Sequence, residues 1–304
     1  VTTTVRVPAK INLHLGVGAP REDGFHPLVT VYQAVGLYDD LTAAEAPDWR
    51  FGITVADHIE PGSVPTDGDN IVDHAADLLA AHHGIERTGD VLVTKAIPVA
   101  GGMAGGSADA AAALVALDRL WDAETSDDDL LGLAAQLGSD VPFALFGGTA
   151  LGVGRGELVT PVVDTGTWWW VVVPSAEGLS TPEVYRHFDE LFPDAPAEPP
   201  AADGLLAALA SRDPHQLGAL LHNDLQAAAC DLRPDLEALI ERGEAAGAIR
   251  GLVSGSGPTV VFLCESGDHA RAVAGSLDES VVLVANGPVA GAHVVHYDTS
   301  GDPR

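Results

Sequence analysis

Lysine is nearly missing from this chain: among 304 residues it occurs only at Lys10 and Lys95. Arginine raises the basic total to just 15, against 44 Asp and Glu, for a formal charge of −29. A chain with so little positive charge has no basic face to grip phosphate backbones, so neither nucleic acid nor an anionic membrane surface is an expected partner. Cysteine is equally scarce, and Cys230 with Cys264 makes neither a disulfide framework nor a four-ligand zinc site. No apolar run reaches the roughly 18 residues of a membrane span, and no basic segment followed by an apolar stretch opens the sequence as in a secretory signal. Twelve histidines are scattered, without an H-E-x-x-H pair. The expectation is a cytoplasmic protein of about two domains, since a domain takes roughly 150 residues and each half is long enough to bury a core.

What is present is strongly patterned. Val5, Val7, Ala9, Ile11, Leu13 and Leu15 alternate toward a core, which puts Lys10, Asn12 and His14 on the opposite face of one strand. Asp23-Gly24 reads as a turn, and residues 28–38, 91–97, 143–153 and 168–173 read as strands. Ile71, Ala75, Leu78, Leu79 and His82 fall at helical spacing, and Ser126 with Asp129 has the form of a capping box. Helices are expected at 182–192, 203–210, 214–229, 234–246 and 268–277, with strands at 259–264, 281–284 and 293–296. The sum is an α+β chain of two domains, residues 1–163 and 164–304, with a surface loop at Pro193 to Pro200.

Chemistry concentrates in three turns and one strand. The segment Ala100-Gly101-Gly102-Met103-Ala104-Gly105-Gly106-Ser107-Ala108-Asp109 lies between a strand and an Ala-rich helix. Its glycines allow close approach to a ligand, and the helix start behind it offers free N–H groups, so it can cradle phosphate with few cationic side chains. It is no Walker A loop, lacking GK[ST], nor a dinucleotide G-x-G-x-x-G; a plain tight connection remains the other reading. Asp140, before Pro142, is either an ordinary turn residue or a functional acid. Gly255-Ser256-Gly257 either brings backbone to a ligand or merely joins two elements. Lys10 lies in a segment built for burial, so it either lines a cleft with Asn12 or sits on a solvated sheet face. Thr181, followed by Pro182, first reads as a helix N-cap.

Taken in order, these features resemble the GHMP small-molecule kinases, and within them a branch that acts on a cytidine diphosphate-linked polyol in isoprenoid precursor synthesis. The matching stretches are Pro8 to Leu13, Asp23 to His26, Gly101 to Ala113, Gly138 to Pro142, His222 to Leu225 and Gly251 to Pro258. The resemblance implies a two-domain GHMP kinase, with an N-terminal domain like domain 2 of ribosomal protein S5, a ferredoxin-like C-terminal domain and the active site between them. It implies ATP as phosphoryl donor, with Mg2+, and Lys10 and Asp140 as catalytic residues. Gly101, Gly102, Met103, Ala104, Gly105, Gly106 and Ser107 would hold the phosphates, Ser107 also touching the metal, while Asn70 and Lys95 would lie near the adenosine. His26 would read a cytosine edge between the rings of Phe25 and Tyr185, with Asn12 and Thr181 placing the acceptor. A monomer or homodimer is expected. Homoserine, sugar and mevalonate kinases, and a non-catalytic nucleotide-binding relative, are the competing readings.

The glycine loop departs from the commoner family pattern at Ala100 and Ala104, which replace glycines, and at Asp109, which replaces asparagine. Because alanine disfavours positive φ, neither alanine is expected to be left-handed. Surface charge is screened beyond about 8 Å at physiological salt. The two lysines, both mapping to the nucleotide site, are therefore expected to matter more there than the overall acidity.

Overall fold

The computed structural model describes residues 2–59, 70–99, 101–175 and 177–296; Ala100, and the expectation attached to it, lies outside them. The first half runs β1 (Thr2–Val17), β2 (Leu28–Ala44), β3 (Trp49–Val55), α1 (Ile71–His83), β4 (Gly89–Lys95), α2 (Gly105–Leu120), α3 (Asp127–Leu137), α4 (Val141–Phe146), β5 (Thr149–Gly154) and β6 (Leu158–Pro161). The second runs β7 (Trp168–Val173), α5 (Thr181–Leu191), α6 (Asp203–Leu209), α7 (Pro214–Gly218), β8 (His222–Asn223), α8 (Gln226–Leu232), α9 (Pro234–Ala245), β9 (Arg250–Val253), β10 (Val260–Cys264), α10 (Gly267–Ala274), β11 (Leu283–Gly287) and β12 (His293–Val295).

The alternation in β1 does what its pattern dictates: Val5 through Leu15 at odd positions are buried. The even face is buried too. Register shifts between Pro8 and Ala9 and between Asn12 and His14 bend the strand, and the second half of the chain covers Lys10, Asn12 and His14. In the first sheet β12, β1, β2, β4 and β3 are neighbours in that order, with β5 and β6 continuing from β2 and β8 pairing β1 in parallel. Helix α2, whose alanines Ala108 and Ala110 to Ala113 are all buried, packs against α1, β1 and β2. The second sheet is antiparallel in the order β11-β7-β10-β9. With its connections, that is the βαββαβ order expected of a ferredoxin-like domain.

Four local expectations change. Residues 143–153 divide into α4 and β5, because a short apolar run satisfies helix and strand equally until its neighbours choose. The helix expected over 214–229 is broken by β8, which docks on β1. His82 is exposed; the buried stripe of α1 is Val72, Ala75, Ala76, Leu79 and Ala80. The strand at the end of the second half, β12, pairs with β1 in the first sheet rather than with its own half. The Ser126 cap forms as expected, accepting from Asp129 N at 3.2 Å.

A polar knot joins the halves where the sequence divides them. Asp164 accepts from Trp168 Nε1 at 2.9 Å and from Thr149 Oγ1 at 2.6 Å. Gln33 Nε2 donates to Asp164 at 3.0 Å, and Gln33 Oε1 accepts from Trp170 Nε1 at 2.9 Å. The sheets share one hydrophobic core around it, in which Trp168, Trp170 and Val261 pack with Val35 and Leu41. Among the described residues no helix is long and apolar enough to cross a membrane. Gln33→Leu, which strands the buried Trp170 indole N–H, is expected to cost about 1–3 kcal/mol. Urea unfolding checks this; an unchanged midpoint would show that the knot carries no stability.

Candidate active site

The bent strand β1 aims Lys10 and Asn12 into the space between the halves. Lys10 is only 7% exposed, and its Nζ donates to Asn12 Oδ1 at 2.8 Å and lies 3.5 Å from Asp140 Oδ2. Asn12 is fixed in turn, Nδ2 donating to Thr30 Oγ1 at 2.8 Å while that hydroxyl donates to the His14 carbonyl at 2.8 Å. The ammonium also stands 5.5 Å from the centre of the Tyr32 ring. Buried charge survives only when paired and hydrogen-bonded, and this lysine is both. The solvated-face reading of Lys10 is therefore set aside.

The glycine loop descends from β4 and enters α2 through Ala104, whose φ of 57° and ψ of 35° are left-handed. This overturns the expectation for that alanine. An L-residue there costs about 1–2 kcal/mol. The surroundings outweigh it: Met103 is buried and its carbonyl accepts from Lys10 N at 3.2 Å, while the Ala104 carbonyl accepts from Ala108 N at 2.9 Å. The reversal lets the chain start a helix at Gly105 with its unbonded N–H groups facing the cleft. Two residues before Ala104, Gly102 (φ +74°) presses on the second half of the chain. A Cβ there would lie 2.1 Å from the Ser254 carbonyl oxygen. Ser254 Oγ also donates to the Gly102 carbonyl at 3.1 Å, so the two glycine turns are locked face to face.

Lys95 does not line the cleft. Its Nζ is committed to Asp39 Oδ2 at 2.5 Å and Asp109 Oδ2 at 2.6 Å, with the Gly105 carbonyl at 3.4 Å. Asp39 Oδ1 meanwhile accepts from Ala96 N and Ile97 N, anchoring the exit from β4. Burial disfavours the ammonium, but the carboxylates outweigh it and hold the Lys95 pKa above the ordinary value. Burial pushes Asp109 up to about 8 against the pull of Lys95. Lys95 thus sits beneath the loop, held by two acidic side chains, while of the two lysines Lys10 is the one that lines the cleft.

On the second half's wall of the cleft, Thr181 opens α5 but does not cap it. Ser180 holds the cap position, and Thr181 Oγ1 instead pairs with Ser256 Oγ at 2.8 Å. One turn on, Tyr185 meets the His26 ring at 4.9 Å, and Asp189 accepts from His26 Nε2 at 2.9 Å. Phe25 is 50% exposed, its ring faced by the Arg155 guanidinium at 4.9 Å. Burial, then the Asp140 charge, raises both the Tyr32 and Tyr185 phenols, so they stay neutral.

These parts enclose a cleft of about 550 Å³. Lys10, Asn12, Gly101, Gly102, Ala104 to Ser107, Asp140, Thr181 and Tyr185 line it together. Asn70 instead caps α1, accepting from Val72 N at 2.9 Å, and neither it nor the buried Met103 side chain lines the space. Phe25 and His26 flank it through Arg155 and Tyr185. The lining also includes Tyr32, Ser139 and Arg155, none of which the sequence reading placed in the site. Arg155 had a signal, the Gly152 to Gly156 turn that carries it; Tyr32 had none. Among the described residues lining the cleft, Asp140 is the one carboxylate.

A strained helix entrance, an opposed glycine turn and a lysine–aspartate pair in one cleft are the parts of a small-molecule kinase, and the chain belongs to the GHMP kinase family. Residues 70–148 match the GHMP kinases N terminal domain and residues 205–282 the GHMP kinases C terminal family. A Nocardioides protein named 4-diphosphocytidyl-2-C-methyl-D-erythritol kinase is 73% identical, covering 96% of this chain and 100% of the relative. A Salinispora arenicola protein of the same name is 53% identical, covering 95% and 93%. Among solved structures, a 4-(cytidine 5'-diphospho)-2C-methyl-D-erythritol kinase superposes with a TM-score of 0.77 at 32% identity, covering 93% of this chain and 98% of the other. A homoserine kinase from Cytophaga hutchinsonii shares the fold at TM-score 0.72 and 20% identity, covering 96% and 97%. The two-domain GHMP kinase architecture expected from the sequence is the one observed.

Two substitutions test the loop. Gly102→Ala must push the glycine turns apart and is expected to weaken ADP binding at least about tenfold, given the prohibited contact and the positive φ; calorimetric titration reads it. Ala104→Gly removes left-handed strain and is expected to leave stability level or raise it by up to about 1 kcal/mol, against the usual loss of about that size for a glycine in a helix. A lowered urea midpoint would contradict this account of Ala104.

Proposed function

We propose that the protein transfers the γ-phosphoryl group of ATP to the 2-hydroxyl of 4-diphosphocytidyl-2-C-methyl-D-erythritol, giving the 2-phosphate and ADP, in non-mevalonate isoprenoid precursor synthesis. The observation that carries this reading is the Lys10–Asp140 pair, 3.5 Å apart, set between a phosphate-ready helix start and an aromatic base pocket. The names and high identity of the relatives support the same substrate.

Phosphoryl transfer asks little covalent chemistry of a protein; alignment and charge stabilisation do most of the work. The N–H groups at the start of α2 and the turn Gly101 to Ser107 hold the phosphates of ATP. Asp140 accepts the hydrogen bond of the acceptor hydroxyl, orienting it and taking its proton as the new P–O bond forms. Lys10 stabilises the developing alkoxide and the charge on the transferring group, from a position that Asn12 and Thr30 keep rigid. A positioned acid–base group of this kind is typically worth about 10²–10⁴ in rate.

For the acceptor, Asp189 takes the Nε2–H of His26, which leaves Nδ1 as an acceptor for the amino group of cytosine. Tyr185 and Phe25 supply the ring faces. Arg155 lies between Phe25 and the cleft, where the diphosphate of the substrate needs a cation. Magnesium suits the donor set: the cleft offers hard oxygen donors, the Ser107 hydroxyl and Asp140, and no group of three or more His, Cys, Asp or Glu among the described residues could cage an ion. Ser107 would supply one ligand and the nucleotide phosphates and water the rest; the bound ion would neutralise phosphate charge. We place the protein in the cytoplasm, as a monomer or homodimer, with no nucleic acid or membrane partner.

ATP consumption with the cytidyl substrate is expected to exceed that with homoserine, galactose or mevalonate. Turnover of only one of those three would overturn the assignment. Asp140→Asn is expected to cut kcat by at least about 10² while nucleotide binding is largely retained; a fully active variant would remove Asp140 from the mechanism. Phe25→Ala should raise KM for the cytidyl substrate more than for ATP, and equal increases would remove Phe25 from the base pocket.

A further inference from the structure

The motif His222-Asn223-Asp224-Leu225 matches the family pattern, yet nothing above gives it work. It forms β8, the two-residue strand that interrupts a helical stretch and pairs with β1 at His14 and Leu15. The break is anchored on both sides. Asp224 N donates to the Leu15 carbonyl at 2.9 Å, and Asp224 Oδ2 accepts from Val17 N at 2.8 Å. That fixes β8 to the strand carrying Lys10 and Asn12.

Asn223 faces the other way, with both N–H donors of its amide and its carbonyl oxygen engaged. Its Nδ2 donates to the Val253 carbonyl and to the Gly255 carbonyl, each at 2.7 Å, while Oδ1 accepts from Leu225 N at 2.9 Å. The side chain is buried. The carbonyls it holds flank Ser254 at the start of the late glycine turn. That turn has three neighbours in the cleft. Ser254 grips Gly102 of the phosphate loop, Ser256 pairs with Thr181, and Gly255 packs so closely on the Lys10–Asn12 pair that a Cβ would stand 3.4 Å from Asn12 Oδ1 and 3.6 Å from Lys10 Nζ.

We propose that Asn223 is a positioning residue for the kinase: it sets the Ser254–Gly257 turn against β1, and through that turn fixes both the nucleotide loop and the acceptor pocket without touching either substrate. The inference rests on the kinase reading of the cleft. The chemistry also selects the residue type. Only an amide of this length offers two donors to the paired carbonyls and an acceptor to Leu225 N. Aspartate has the same shape but would set an oxygen against two carbonyl oxygens, which repels the turn. A longer amide cannot keep both contacts at 2.7 Å.

A residue that merely supports the fold lowers the folded fraction, which reduces apparent kcat and leaves each KM alone. A residue that places the turn moves both KM values together. Asn223→Asp and Asn223→Ala are to be compared with the natural protein by steady-state kinetics in ATP and in the cytidyl acceptor. Circular dichroism fixes the folded fraction, and calorimetric titration with ADP is run in parallel. The expected result is a rise of at least about fivefold in both KM values and a matching loss of ADP affinity, larger for aspartate than for alanine, in protein that remains folded. If both KM values stay within about twofold of the natural protein and only kcat falls, in step with the folded fraction, the proposal is overturned. Should Asn223→Asp fail to fold, Asn223→Ala carries the same decision, since it removes the donors without adding charge. Failure of the natural protein to phosphorylate the cytidyl acceptor would overturn the functional reading instead, and the ADP titration would still decide the role of Asn223.

Discussion

The site depends on one contact between two pieces of backbone. Gly102 and Ser254 approach so closely that no side-chain carbon fits between them, and that approach brings the glycine loop of the first half against the late turn of the second. The other parts take their places from it. The loop carbonyl of Met103 is tied to Lys10, the turn packs on Asn12, and Ser256 reaches Thr181 at the start of α5. The cleft is shaped less by large side chains than by where they are absent.

Keeping this contact in register requires backing on both sides. Beneath the loop, Lys95 binds β2, β4 and α2 into one unit through Asp39, Asp109 and the Gly105 carbonyl. Burying two acidic side chains beside one ammonium is costly, and removing the ammonium would leave both of them without their cation. Behind the turn, the amide of Asn223 performs the neutral version of the same task. Between these supports the left-handed Ala104 is held in a conformation that its own side chain opposes.

The parts of the molecule that could be read from sequence are those whose cause is local. The alternation of β1, the Ser126 cap and the strand over 168–173 follow from residue type and spacing, and the βαββαβ order of the second half follows from the family pattern. Lys10 with Asn12 was legible because an isolated lysine in an apolar strand needs a reason to be there. The engagement of Lys95 was not legible because its partner Asp39 lies 56 residues earlier, on a strand whose pairing no spacing rule reveals. Ala104 was misjudged for a related reason: the intrinsic preference was right, but a buried neighbour and two backbone bonds outweighed it. Tyr32 and Arg155 enter the cleft through strand twist and turn geometry, which one sequence does not display. Helix α4 shows the same limit, since Val141 to Phe146 has no period long enough to choose between helix and strand.

The return of β12 to the first sheet also bears on how the protein is made. Thr4, Val5 and Arg6 wait for Val295, Val294 and His293 as their outer partners, so the edge of the first sheet stays open until about 290 further residues have been synthesised. An open strand edge is a template for pairing with other chains. The apolar residues of this one point inward, and Arg6 is held to Asp40 by two bonds of 2.9 and 3.0 Å, setting a charged pair beside the exposed register. The first half can therefore collapse early, but its sheet is finished only once β12 has been made.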